Sequence, residues 1–157
     1  MRSGNAQGVA RGVGAACFLV LPVLLLGSCV PHRLAVTSGG PSLTQAREEF
    51  FALIDATQQL AGGTWEVQDD PSTRGCELPD GGLGRTFSAL RLAPPPTAPI
   101  ADPIADAWDD LGYSVARTDI GPVSQLVATG DGSEILILRV SDRAMTLQGE
   151  SECRPAG

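Results

Sequence analysis

The chain has no lysine, one histidine, two tryptophans and one tyrosine. Each scarcity removes a class of function. Without lysine, and with a formal net charge of −7, the surface offers little to phosphate backbones, so nucleic acid is excluded as a partner and anionic lipid headgroups are disfavoured. A Ser-His-Asp or Cys-His device needs a histidine base. The only candidate, His32, lies between Pro31 and Arg33 in a stretch without periodicity, where nothing would hold it in register. A zinc centre needs four closely spaced Cys, His or carboxylate ligands, and the sequence does not supply them. No glycine-rich phosphate cradle is present either. Gly81-Gly82-Leu83-Gly84 is dense in glycine but leads into a strand pattern rather than a helix N-terminus. Asp131-Gly132-Ser133-Glu134 lacks the alternating oxygens of a calcium loop and reads as a hairpin turn.

The N-terminus is the most strongly patterned part of the chain. Arg2 and Arg11 precede an apolar run from Val13 to Leu26, and no charge occurs between Arg11 and His32. Positive charge, apolar core and the small pair Gly27-Ser28 have the order of a secretory signal over residues 1–28. A membrane-spanning helix or simple secretion are the other readings, although Gly12, Gly14, Pro22 and Gly27 dilute the apolar window. Leu26-Gly27-Ser28-Cys29 resembles the lipobox of bacterial lipoproteins, with Ser28 a less common residue in its place. The resemblance implies cleavage between Ser28 and Cys29 and a diacylglyceryl group on the Cys29 thiol. The folded part would then be moored by acyl chains on the extracytoplasmic face of the cell membrane. Two chains suffice for stable anchoring, at about 0.8 kcal/mol per buried CH₂. Loss of residues 1–28 would leave 129 residues with a net charge of −9, so the lipid and not the protein surface would supply the membrane affinity.

Cys17 lies within the signal and Cys29 at the lipid position, which leaves Cys76 and Cys153. Outside the cytoplasm an even pair is most simply a disulfide, the other reading being two buried thiols.

Residues 29–41 read as a tether of roughly 40 Å when extended, and residues 42–157 as one domain. Ser42-Leu43-Thr44-Gln45 matches a capping box, with Glu48 and Glu49 placed near the positive end of the helix dipole. Leu43, Ala46, Phe50, Leu53, Ile54, Thr57 and Leu60 recur at helical spacing until Gly62-Gly63. Thr64 to Val67 reads as a strand with Trp65 and Val67 inward, Asp69 to Gly84 as a polar loop carrying Cys76, and Arg85 to Leu92 as a second strand paired with the first. After Pro94-Pro95-Pro96, a second helix is capped by Asp102, carries Pro103 in its first turn and ends at Gly112. Ile104, Ala107, Trp108 and Leu111 form its inner face and Asp106, Asp109 and Asp110 its outer one. A four-strand meander follows, over Tyr113–Thr118, Ser124–Ala128, Glu134–Val140 and Ala144–Gly149, with the apolar third strand central.

The expected fold is α+β, an antiparallel sheet of five to six strands with two helices on one face. Gly63-Thr64-Trp65-Glu66-Val67 and Gly112-Tyr113-Ser114-Val115 echo one another, either as a duplicated α-β-β unit or by coincidence. A helix, a Trp-bearing strand, a mid-chain cysteine and a C-terminal cysteine are also the pattern of several small actinobacterial lipoproteins of unknown function. The chain resembles them, and its Arg-for-Lys, Ala- and Gly-rich composition fits such a source. That resemblance brings no activity with it.

The carboxylate pairs Asp69-Asp70, Asp109-Asp110 and Glu150 with Glu152 could perform acid–base work on a glycan. Solvated charge accounts for them more simply. Trp65, Trp108 and Tyr113 fit core packing better than sugar stacking. The sequence therefore points to a non-catalytic module without cofactor or metal, either binding an envelope protein or glycan or serving as an accessory subunit of a membrane complex, with a small envelope glycan hydrolase as the alternative.

Overall fold

The computed structural model describes residues 40–156. Ser28, Cys29, the signal and most of the tether lie outside the described residues.

Helix α1 (Leu43–Ala61) starts at Ser42, whose hydroxyl accepts from the Gln45 N–H at 3.2 Å while Gln45 Oε1 accepts from the Ser42 N–H at 2.9 Å. The reciprocal pair satisfies two donors that a helix start would otherwise leave bare. No acid lies in the first turn, so Glu48 and Glu49 sit beyond the strongest part of the dipole. Gly62 and Gly63, at φ of 70° and 81°, end the helix in a backbone region that favours glycine. Ala46, Phe50, Ile54, Thr57 and Ala61 are its buried face. Leu60, expected on that face, is 47 % exposed because it lies beyond the edge of the sheet-facing stripe.

Strand β1 (Glu66–Val67) is followed by β2 (Asp70–Glu77) and the long β3 (Leu83–Ala93). Both β1 and β2 pair antiparallel with β3 along one side. The expected loop over Asp69–Gly84 is thus in large part strand. Its residues show no apolar alternation because β2 lies exposed at the sheet edge and carries a bulge between Asp70 and Arg74. What holds it is backbone pairing with β3. Val67, expected inward, is 63 % exposed, since β1 is a two-residue edge strand. Trp65 is half-buried and donates through Nε1 to the Gly62 carbonyl at 2.8 Å.

Helix α2 (Ala101–Asp110) is capped by Ile100 without a side-chain bond, and Asp102 lies inside the first turn instead of at the cap. There it pairs with Arg117. Pro103 costs nothing so near the start, because its missing N–H would have had no partner. The helix closes in a Schellman arrangement: Gly112 N–H donates to Asp109 O at 2.8 Å and Tyr113 N–H to Trp108 O at 3.0 Å, with Gly112 at φ 91°. Leu111 therefore falls off the helix end and is 62 % exposed, contrary to its expected place on the inner face.

Strands β4 (Ser114–Ile120), β5 (Val123–Thr129), β6 (Ile135–Val140) and β7 (Met145–Glu150) form the expected meander, and the two-residue β8 (Arg154–Pro155) follows. The sheet order is β1-β3-β7-β6-β5-β4, with β2 and β8 also pairing with β3. The eight segments occupy six positions, because β1 and β2 share one side of β3 while β7 and β8 share the other. The strands that follow directly on the two helices, β1 and β4, end the sheet on opposite sides, but three strands follow α1 and five follow α2.

Both helices pack on the same face. The register gives straight rows of side chains beneath them. Leu147, Leu138 and Leu126 form the middle of one row, with Arg91 and Arg117 at its ends. Phe50, Ile54, Ile104 and Trp108 close over these leucines. Trp108 Nε1 donates to Thr57 Oγ1 at 3.0 Å, and Thr57 donates on to Leu53 O at 2.9 Å, so the indole reaches a partner inside the core. Cys76 and Cys153 are joined in a disulfide, Cα atoms 6.0 Å apart, tying the end of the chain to β2.

Candidate functional site

Among the described residues, no helix packs on the opposite face of the sheet. Its register places Leu90, Gln148, Ile137, Val127 and Ala116 in one row across β3, β7, β6, β5 and β4. The neighbouring rows are largely polar: Ser88, Glu150, Ile135, Thr129 and Ser114 on one side, and Leu92, Thr146, Arg139, Gln125 and Thr118 on the other. Strand β6 is thus apolar on both faces. In an antiparallel sheet with one face in water, polar residues normally alternate outward.

At the β3 end of the apolar row lies a cavity of about 410 Å³. Its floor is Leu90 from β3 with Ile135 and Ile137 from β6, and its wall is the segment from Gln68 into β2. Asp69 borders this space but is committed to the fold. It accepts from the Leu90 N–H at 2.9 Å and forms an ion pair with the buried Arg91 guanidinium, whose pKa is lowered by burial. Arg74 reaches over the floor. Its Nε is 3.6 Å from Asp70 Oδ2 and its Nη1 is 3.6 Å from Glu150 Oε1. Both separations exceed hydrogen-bond length, so Arg74 is held between two carboxylates without being bonded to either. The Ser72 backbone N–H bonded to Asp70, with Arg74 beside it, holds that carboxyl below the usual carboxylate range.

A second, smaller recess of about 230 Å³ lies between α1 and the sheet end, bordered by Glu49, Leu53, Tyr113, Glu134 and Glu152. The Tyr113 hydroxyl donates to Glu134. Burial pushes the Glu134 carboxyl up, the Tyr113 bond works the other way, and Glu152 and Glu49 push it further up. Tyr113 is itself pushed up, by burial first and then by Glu134. Glu152 pairs with Arg154. Among the described residues no group of three or more His, Cys, Asp or Glu side chains is placed to hold a metal ion.

The expected carboxylate pairs are separated by the fold. Asp109 and Asp110 stay on the outer face of α2. Asp69 and Asp70 diverge, one to Arg91 and one to Arg74. Glu150 faces the cavity while Glu152 faces the recess, and Glu152 meets Glu134 there instead. Trp108 lies in the core at 2 % exposure, as expected, and Tyr113 lines the recess. Sequence reasoning missed Arg74, Ser88, Gln148 and the pair Ile135 and Ile137. The unbroken apolar run of β6 was the available signal for the last two, and it reads equally well as a strand buried on both faces.

No protein-family model matches the chain, and no curated protein does. Among solved structures it is similar in fold to a DUF4853 family protein from Actinomyces odontolyticus. That likeness has a TM-score of 0.53 and 13 % sequence identity, over 73 % of this chain and 67 % of the other.

Proposed function

We propose that this chain is a lipid-anchored extracytoplasmic module that binds a component of the cell envelope in the cavity on the sheet face opposite helices α1 and α2, without transforming it. The observation that carries the reading is that cavity: an apolar floor of Leu90, Ile135 and Ile137 under a few polar groups, in the size range of small-ligand sites. The charge arrangement favours binding over acid–base work, since Arg74 and the Ser72 N–H keep Asp70 ionised and so unsuited to give up a proton. The Cys76–Cys153 bridge fits an oxidising compartment, and Leu26-Gly27-Ser28-Cys29 supplies the anchor.

The test of the site uses the full chain purified in detergent from its envelope. A partner that co-purifies at fixed stoichiometry should be lost from Ile137→Trp, which fills the cavity floor, and retained by Asp109→Ala on the far side of the molecule. Retention by Ile137→Trp would overturn the site. The anchor is tested separately: Cys29→Ala should accumulate as an unprocessed precursor by intact-mass measurement, and an unchanged mature mass would overturn it.

A second reading, hydrolysis of an envelope glycan, rests on Glu134. Its raised carboxyl would be the acid and Glu152 the facing base. Reducing-sugar release from envelope glycan, abolished in Glu134→Gln, would support it; no release by the native chain would end it.

A further inference from the structure

We infer that the cavity recognises a primary ammonium on an aliphatic skeleton with an adjacent amide, the chemistry of the amino end of a peptide. This inference rests on the binding reading above and names the ligand class for that site. Three observations converge. The first is charge. Asp70 and Glu150 flank the single guanidinium of Arg74 at 3.6 Å each, so among the described residues the rim carries one more carboxylate than it has cations to balance. An incoming cation relieves that excess, whereas an incoming carboxylate meets two like charges. The second is an uncommitted hydroxyl. Ser88 is 7 % exposed, faces the cavity, and makes no side-chain hydrogen bond to any described residue. Lining the cavity, the hydroxyl is free to donate to or accept from a ligand there. Gln148, on β7 between Leu90 and Ile137, also leaves both its carbonyl and its amino group unbonded among the described residues. A hydroxyl and a carboxamide lining one cavity match one amide of a ligand, which needs one donor and one acceptor. The third is shape. Leu90, Ile135 and Ile137 give a floor without aromatic rings, suited to a branched aliphatic side chain and not to the stacked face of a sugar.

Glu150 is the better-placed of the two carboxylates to take the ammonium. Asp70 already accepts the Ser72 N–H at 2.9 Å, while Glu150 makes no hydrogen bond with a described residue and stands on β7 beside Gln148. A ligand ammonium at Glu150 and an amide at Ser88 and Gln148 would leave the side chain over Ile135 and Ile137.

The probe is leucinamide, titrated into the full chain in detergent and followed by methyl resonances of Leu90, Ile135 and Ile137. Shifts should be confined to those methyls. N-acetylleucinamide, which keeps the amide and side chain but loses the cation, should bind about tenfold more weakly or not at all, and so should leucinamide to Glu150→Gln. Leucyl-alaninamide should bind at least as tightly as leucinamide if the ligand is a peptide, and more weakly if the site is closed beyond one residue and takes only free amino-acid amides. That weaker binding would overturn the peptide assignment. Raised salt should weaken every cationic probe, since the rim is exposed. Equal binding of the acetylated probe, or an unaffected Glu150→Gln, would overturn the inference. Loss of all probe binding while Ile137→Trp still abolishes the envelope partner would likewise overturn the ligand class and leave the site standing. Retention of that partner by Ile137→Trp would remove the site itself. Ser88→Ala, a change of one atom in a folded strand, should weaken leucinamide without altering the melting temperature, separating ligand loss from misfolding.

Discussion

Gly84 lies opposite Cys76 in the register of β2 and β3, and the disulfide crosses directly over it. A Cβ at this position would stand 2.6 Å from the Cys153 sulfur and 2.8 Å from the Arg154 carbonyl. Neither is the free end of a flexible side chain, so β8 would have to move. Gly84→Ala is expected to cost about 1–3 kcal/mol, the usual penalty for overfilling a packed site. Urea unfolding measures it, and the penalty should shrink when the disulfide is reduced beforehand. Glu134 gives a prediction in pH. Its carboxyl is raised above the ordinary value of 4.5, mainly by burial. The folded state therefore holds this proton more tightly than the unfolded chain does. From about pH 4.5 upward the unfolded state binds fewer protons at this site, and its contribution to stability falls until the raised folded value is passed. Glu134→Gln, which can still accept from Tyr113, should melt higher than the native chain at pH 7. The difference should narrow as the pH is lowered toward 4.5. Thermal melts across that range check both the sign and the window.

At the level of elements, the two helix starts separate what sequence can tell from what it cannot. Ser42 and Gln45 sit four residues apart inclusive, and the capping box forms between them as their spacing demands, because every atom involved is local. Asp102 has the same credentials on paper, yet the helix begins before it and the carboxylate is spent on Arg117. That choice depends on β4, which sequence proximity does not bring close. Ser42→Ala is accordingly expected to cost about 1 kcal/mol. Asp102→Ala should cost less than about 1 kcal/mol, since it breaks only an exposed ion pair. The order of the two, by chemical denaturation, distinguishes capping from surface pairing. The same distinction explains the strands. β4 to β7 were legible because hairpin turns and alternating residues specify them locally. β2 was not, because its polar residues are held by hydrogen bonds to β3 and by a covalent bond to Cys153. The cavity was hidden for a related reason. Ile135 and Ile137 announce an apolar outer face, but Ser88, Gln148, Glu150 and Arg74 meet there only through strand order, and no spacing in the chain encodes that order.

For the whole molecule, the described helices lie on one sheet face, so they supply most of the apolar surface buried among the described residues. A domain of this size whose described helices cover one sheet face has limited core to draw on. The bridge between Cys76 and Cys153 closes a span of 77 residues and in the chain-entropy account contributes about 4 kcal/mol. Its position matters as much as its size. It fastens the exposed β2, which carries the wall of the cavity, to the strand β8 on the other side of β3. The double variant Cys76→Ser, Cys153→Ser should therefore lose about 4 kcal/mol at most in urea, with the loss distributed unevenly. Backbone amides of β2 and β8 should exchange with solvent far faster than in the native chain, while those of β5 and β6, paired on both sides and backed by Trp108 and Ile104, should keep their protection until global unfolding. Uniform acceleration across all strands would show instead that the bridge acts only through the unfolded chain. If β2 alone loosens, leucinamide binding should weaken with it, because Arg74 and Asp70 would no longer be held over the floor formed by Ile135 and Ile137.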